Sequence, residues 1–212
     1  ALSMTVGNLI ALRQTNIVRL MAYSGVAQTG FMIAPLAVAG HSTAVGDQAL
    51  SATVTYLVIY AAMNLGAFAV IISLARKTGS AEISSFAGAF RYAPALTVAM
   101  TVFMGSLAGI PPLGGWFAKF EVFRVLTTAG DPWGYALAVV AAVNAAVALY
   151  YYASILLRMW ADDVPDGDVG AVPITPSLAS ALAICGVVTL LFGVVPQTVA
   201  RFTNVSLLAL GG

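Results

Sequence analysis

Five long apolar stretches run through this chain, at about residues 17–39, 48–75, 94–129, 133–160 and 177–195, and a shorter one occupies 1–12. A helix crossing the ~30 Å hydrocarbon core of a bilayer needs about 20 apolar residues. Each long stretch is therefore a candidate span, and 1–12 reads as the end of a helix whose start is missing. The charges agree: nine Lys+Arg and eight Asp+Glu are 8% of 212 residues. Soluble domains carry roughly 25%, and so few charges cannot cover a water-exposed globule. This excludes a soluble enzyme, a nucleic-acid binder and a disordered chain. The single cysteine, Cys185, and single histidine, His41, exclude an internal disulfide and thiolate zinc or iron–sulfur ligation from within the chain. The expected fold is an all-α integral membrane protein of about five full transmembrane helices plus a partial first one.

The links between stretches alternate in charge. The first holds Arg13 and borders Arg19, the third holds Arg76, Lys77 and Arg91, and the fifth starts with Arg158. The second, a small turn expected over His41 to Asp47, and the fourth hold no Lys or Arg. The positive-inside rule puts links one, three and five on the cytoplasmic or equivalent side, provided that 94–129 crosses once. Three regions follow: 1–160, an acidic loop at 161–176 with Asp162, Asp163, Asp166 and Asp168, and a final span with a C-terminal tail at 177–212. The tail, 197–210, is apolar enough to lie along the membrane or on a partner. Asn204-Val205-Ser206 fits a glycosylation triplet too common to weigh.

The stretch 94–129 is 36 residues long, ~54 Å as a straight helix. It is interrupted by Gly109-Ile110-Pro111-Pro112-Leu113-Gly114-Gly115. Two prolines remove two backbone donors, and Pro112 disfavours a helical Pro111. Carbonyls freed at membrane depth are tolerated only inside protein or along a wet cavity, as in the broken helices of transporters. A hairpin of two short spans is the alternative, but Lys119, Glu121 and Arg124 make 113–129 a poor span.

Lys119 lies 12 residues before Asp131, ~18 Å along a helix, too far for its side chain to reach the surface without unwinding. An intramembrane lysine costs ~2.5–3.5 kcal/mol, and amines taken out of water exchange protons more readily. The functional reading is a proton-carrying site; the plainer one is an ion pair with Glu121 or an unseen helix. Glu121 is about 200° round the helix from Lys119 and better placed for Arg124, three positions on. Gln28 and Asn64 are amides in lipid that seek partners, and either a water file or interhelical hydrogen bonding supplies them. Asn144 belongs to the fifth stretch. Tyr56, Tyr60 and Asn64 recur every four residues on one face, and packing explains such aromatics as well as chemistry does. Cys185 reads as a small apolar filler.

Several blocks resemble a known family. They are Gln14-Thr15-Asn16-Ile17-Val18-Arg19-Leu20-Met21-Ala22-Tyr23-Ser24, Tyr60-Ala61-Ala62-Met63-Asn64-Leu65-Gly66-Ala67-Phe68, Leu107 to Phe120 with its proline–lysine core, and Tyr150-Tyr151-Tyr152. In order and spacing they resemble the antiporter-like membrane subunits of respiratory complex I, NADH-quinone oxidoreductase, and among these the subunit N branch. The resemblance covers nearly all of the chain. It implies the second of two inverted repeats, with an incomplete first helix, plus the last helix. It implies a proton-translocating module of the energy-transducing membrane (the bacterial plasma membrane or its equivalent) among other antiporter-like and small membrane subunits. No cofactor would belong to this chain; NADH, FMN, iron–sulfur clusters and quinone would be used by other subunits. It further implies that Lys119 is the outlet-side proton site of the broken helix, whose break lies at Gly109, Pro111, Pro112 and Gly114; Gln28, Glu121, Tyr60, Asn64 and Asn144 are the candidate residues of the proton path. Gln28 stands where many relatives have histidine, Val18 where lysine is usual, and Glu121 where an aromatic is frequent. A subunit of a multisubunit Mrp-type cation/proton antiporter and a non-transporting scaffold are the alternatives.

Overall fold

The structure, a computed structural model, describes residues 1–165 and 167–203. Asp166, the 204–206 triplet and the end of the tail lie outside the described residues. Helix α1 (Leu2–Ala11) is followed by α2 (Ile17–Ile33), whose Asn16 cap accepts from the Val18 and Arg19 amides. A 3₁₀ segment, Ala34–His41, extends α2. The long α3 (Thr43–Thr78) starts at a Ser42 cap and stops at Gly79, φ 67°. The expected turn over His41 to Asp47 is therefore corrected. Ser42 can accept from the Val45 amide, so the helix begins at once and Asp47 lies in its second turn.

A 3₁₀ turn (Ile83–Phe86) and the short α4 (Ala89–Tyr92) precede α5 (Pro94–Ala108), which ends at Gly109, φ 94°. Then come α6 (Gly114–Thr128), α7 (Pro132–Ala161), α8 (Pro176–Val194) and α9 (Gln197–Thr203). The described part of the tail is thus a short helix tied to α3, with Thr203 hydrogen-bonded to Thr55 at 2.6 Å.

Helices α5 and α6 form one interrupted crossing, antiparallel to α3. Tyr92 shares a cavity with Lys77 and Thr78. Further along, Phe103 fills the space left by Gly66, Ser106 donates to Met63 Sδ at 3.2 Å, and Gly114 faces Ile59. Finally Phe117, Glu121 and Arg124 share a cavity with Ala44, Asp47, Gln48, Ser51 and Thr55. Partner positions on α3 fall steadily as α5 and α6 advance, which a hairpin would not give. The break faces Ile59–Met63, the middle of a helix ~54 Å long, and so lies at mid-depth. With α2 together with its 3₁₀ extension (Ile17–His41), α3, α7 and α8 each long and apolar enough to cross, the described residues make five crossings and the partial α1.

The ends of these crossings sort as their charges require. Links one and three join through the Asn16–Glu82 bridge and the Ile17 N–Ala81 O and Ile83 N–Thr15 O bonds, 2.9 and 2.8 Å. Link five joins them through Gly88 N–Arg158 O (3.0 Å), the Arg91–Asp163 ion pair (2.7 Å) and the Lys77–Asp168 pair. On the opposite side His41 and Asp131, from links two and four, approach to 3.9 Å.

Close approach at the break requires glycine at two places. A Cβ on Gly115 would collide with the Ser106 carbonyl, and one on Gly193 of α8 with the Pro112 carbonyl and Leu113. Gly186, on the open side of α8, has nothing near its Cβ position. Gly115→Ala is expected to cost ~1–3 kcal/mol of overpacking and to lower the thermal unfolding midpoint of the intact subunit in mild detergent. Gly186→Ala should leave it unchanged.

Candidate functional site

The break is held by an exchange of hydrogen bonds between its two halves. A helix ends with four unpartnered carbonyls; for α5 these belong to Gly105, Ser106, Leu107 and Ala108. Gly109 in a left-handed turn brings its own N–H to Gly105 and Ser106 and the Ile110 N–H to Gly105, all within 3.1 Å, the Schellman pattern. Leu107 and Ala108 are left. Lys119, from the second turn of α6, sends its Nζ back to both, 2.9 Å each. In return the Ser106 hydroxyl of α5 accepts from the Gly115 N–H at the start of α6, 2.9 Å. A Cβ at Gly109 would lie 2.9 Å from Lys119 Cδ, so that glycine both turns the chain and makes room for the lysine. The Pro111–Pro112 bond is cis.

Lys119 is 5% exposed, and its amine lies 5.0 Å from the centre of the Phe31 ring. The partial negative charge at the end of α5 and the ring face both favour a cation there. Among the described residues no carboxylate pairs with it. Glu121 takes Arg124 instead, with three contacts between 2.6 and 3.2 Å, and faces the cavity beside Asp47 and Gln48. Glu121, named among the candidate path residues, thus pairs with Arg124 as its spacing suggests and does not touch the amine.

A buried polar seam leads away from the amine. Gln28, 1% exposed, donates to the Leu107 carbonyl at 3.1 Å and to the Tyr152 hydroxyl at 3.3 Å, and accepts from Tyr56 at 2.5 Å. Tyr152 is bonded to Ser24 and meets Tyr151 edge-on, ring centres 4.5 Å apart. Tyr151 donates to Asn8 at 3.0 Å, and Asn8 donates to Asn144 at 3.0 Å. Helices α1, α2, α3, α5, α6 and α7 thus all contribute to one network.

Of the expected residues, the structure brings Lys119 and Gln28 together and puts Asn144 at the far end of the seam. Gly109, Pro111, Pro112 and Gly114 form the break as expected. Tyr60 and Asn64 do not join. Four residues advance a helix by about 400°, so each repeat drifts about 40°; Tyr56 faces Gln28, whereas Tyr60 and Asn64 lie on the flank, half-buried. The Asn64 Oδ1 has no hydrogen-bond partner among the described residues. Ser24, Tyr56, Tyr151, Tyr152 and Asn8 are members that sequence reasoning did not place in the site. One signal existed: Ser24 and Gln28 stand one turn apart on a face shared with Phe31. Asn8 carried none, because its stretch is too short to show which face is buried.

Residues 1–144 match the family described as NADH:quinone oxidoreductase/Mrp antiporter, transmembrane. NADH-quinone oxidoreductase subunit N of Chloroflexus aggregans is 38% identical over 217 residues, which cover 100% of this chain and 42% of the relative. A subunit N of Koribacter versatilis is 41% identical over 97% of this chain and 39% of its own length. The chain therefore spans about two-fifths of the curated relatives it matches. A chain of respiratory complex I from Thermus thermophilus, solved with bound aureothin, superposes with a TM-score of 0.70 at 32% identity, over 94% of this chain and 43% of its own. A chain of the Mrp complex from Dietzia shares the fold, TM-score 0.79 at 21% identity, over 95% of this chain and 44% of its own. Matched over two-thirds of its length by the family pattern, this multi-pass membrane chain belongs to the NADH:quinone oxidoreductase/Mrp antiporter transmembrane family.

Proposed function

We propose that this chain is the second antiporter-like repeat and last helix of a proton-translocating membrane subunit of respiratory complex I, with Lys119 as its proton site. One observation carries the reading: a mid-depth amine bonded to helix-end carbonyls, with no carboxylate partner among the described residues. As an ammonium, Lys119 has three donors, and as a free amine two. Two suffice for the Leu107 and Ala108 carbonyls. A proton can come and go without stranding either carbonyl, so the break survives both charge states. An ion pair would instead have to be pulled apart.

Electron transfer between NADH and quinone, with FMN and iron–sulfur clusters, would belong to other subunits; this chain supplies the ion path. Moving one charge through 100 mV costs ~2.3 kcal/mol, within reach of a charge change in a neighbouring subunit. Relatives named as subunit N support this over an Mrp-type antiporter, whose likeness extends to the fold. Copurification decides between them: NADH-oxidising subunits fit complex I, and a flavin-free assembly with sodium-dependent exchange fits the antiporter.

Lys119→Arg retains a cation and donors that reach carbonyls but cannot release a proton at ordinary pH. It should assemble and not pump, as read by proton uptake in vesicles, whereas Lys119→Ala should lose pumping and weaken assembly. Normal pumping by Lys119→Arg would reject the proton-carrying role and leave a scaffold.

Gln28 orients the hydroxyls around the amine. Gln28→Leu strands the buried Tyr56 hydroxyl, at a cost of about 1–3 kcal/mol, seen as a lower unfolding midpoint. Gln28→His, which can still accept from Tyr56, should lose less.

A further inference from the structure

On the basic side, the end of α3 and the start of α8 enclose a groove of about 260 Å³. Ser73, Arg76 and Lys77 of α3 form one wall. Val172, Pro173 and Thr175 of the link before α8, with Leu178 in its first turn, form the other. The charge is one-sided: two cations line the groove and no described carboxylate does. Asp163 is held by Arg91, and Asp168, which does not line the groove, is held by Lys77. An ammonium has three donors, so the Asp168 bond leaves Lys77 two. Arg76 is exposed and makes no ion pair among the described residues. Ser73 donates to the Ala69 carbonyl at 2.7 Å, so it shapes the floor and has no proton left to offer. The first turn of α8 adds the partial positive charge of a helix N-terminus.

The groove does not end at its cations. Residues four and seven apart share a helix face, and inward of Arg76 that face of α3 is bare and apolar. Ile72 is 49% exposed and Leu65 63%, ~6 and ~16 Å of helix from Arg76. A small soluble anion would leave this strip uncovered. A molecule with an anionic head and acyl tails covers both. Basic pockets between spans on the cytoplasmic side take such headgroups. We propose that this groove binds the headgroup of an anionic phospholipid from the leaflet on the basic side. Its phosphate lies between the Arg76 guanidinium, which suits paired phosphate oxygens, the Lys77 ammonium and the Thr175 hydroxyl. One acyl chain runs down α3 over Ile72 and Leu65. The lipid thereby ties the end of α3 to the start of α8, the helix that covers the break. Binding here does not depend on proton transfer at Lys119, so it is tested by binding alone.

The intact subunit in its purified assembly is reconstituted in phosphatidylcholine vesicles with a small fraction of phosphatidylglycerol carrying a photoreactive headgroup. Illumination and digestion should label the peptides that hold Arg76 and residues 172–178. Added plain phosphatidylglycerol should suppress this label, and the same amount of zwitterionic phosphatidylethanolamine should not. Arg76→Gln should reduce the label about fivefold, the effect of one basic residue near a membrane surface, and Arg76→Lys should restore most of it. Equal suppression by phosphatidylethanolamine, or full labelling of Arg76→Gln, overturns the headgroup site and leaves an ordinary lipid-facing wall. Label elsewhere on the assembly but none on these peptides also overturns it, since a neighbouring subunit then covers the groove.

Discussion

Two carbonyls at mid-membrane set the terms for the rest of the structure. A backbone oxygen with no partner in hydrocarbon costs several kcal/mol, and breaking the helix after Ala108 creates such oxygens at Leu107 and Ala108. The chain answers from its own next helix. Lys119 reaches back to both, Ser106 reaches forward to the Gly115 amide, and glycines at 109 and 115 let the two halves overlap. Helix α8 then lies over the break, with Gly193 against the Pro112 carbonyl. Thr189 and Phe192 of the same helix close against Gly114, and most of the rest of α8 is exposed.

The ends of the helices supply the orientation that the middle cannot. Three basic links meet on one side through backbone bonds and two ion pairs, so the loop after α7 is strapped over the end of α3. Lys77 and the Gly170 N–H hold the Asp168 carboxyl below its usual range. A carboxylate depressed on folding adds stability above its unfolded value and loses it as pH falls through the folded one. The pair therefore steadies the strap at neutral pH, and that contribution is lost in acid. Both partners are partly open to solvent, which keeps its contribution small.

The parts legible in the sequence were those fixed by strong, local physics. An apolar run too long for one straight span, interrupted by Pro111-Pro112, favoured a broken crossing over a hairpin because Lys119, Glu121 and Arg124 make its second half a poor span. Glu121 was legible too, because two residues against three decides between Lys119 and Arg124 on any helix. The polar seam was not, since it depends on which face each helix turns inward. Tyr56, Tyr60 and Asn64 share a spacing but not an environment, because that spacing drifts round the helix while the buried stripe of α3 shifts through Ile59 and Met63. The start of α3 was hidden by Gly46 and Asp47, which read as turn residues until Ser42 is seen to cap the helix.

The seam and the break share an atom, and this gives the amine a way to be read at a distance. The Leu107 carbonyl accepts from both Lys119 and Gln28. A hydrogen bond from an ammonium is roughly twice as strong as one from a neutral donor, so a charged Lys119 claims more of that oxygen and a neutral one less. As the amine loses its proton, the carbonyl becomes a better acceptor for Gln28, and the amide is drawn toward α5. Its other N–H bond, to Tyr152, and the Tyr56 hydroxyl that it accepts from must follow or let go. Helices α3 and α7 thus feel the charge on α6 through a side chain that carries no titratable proton.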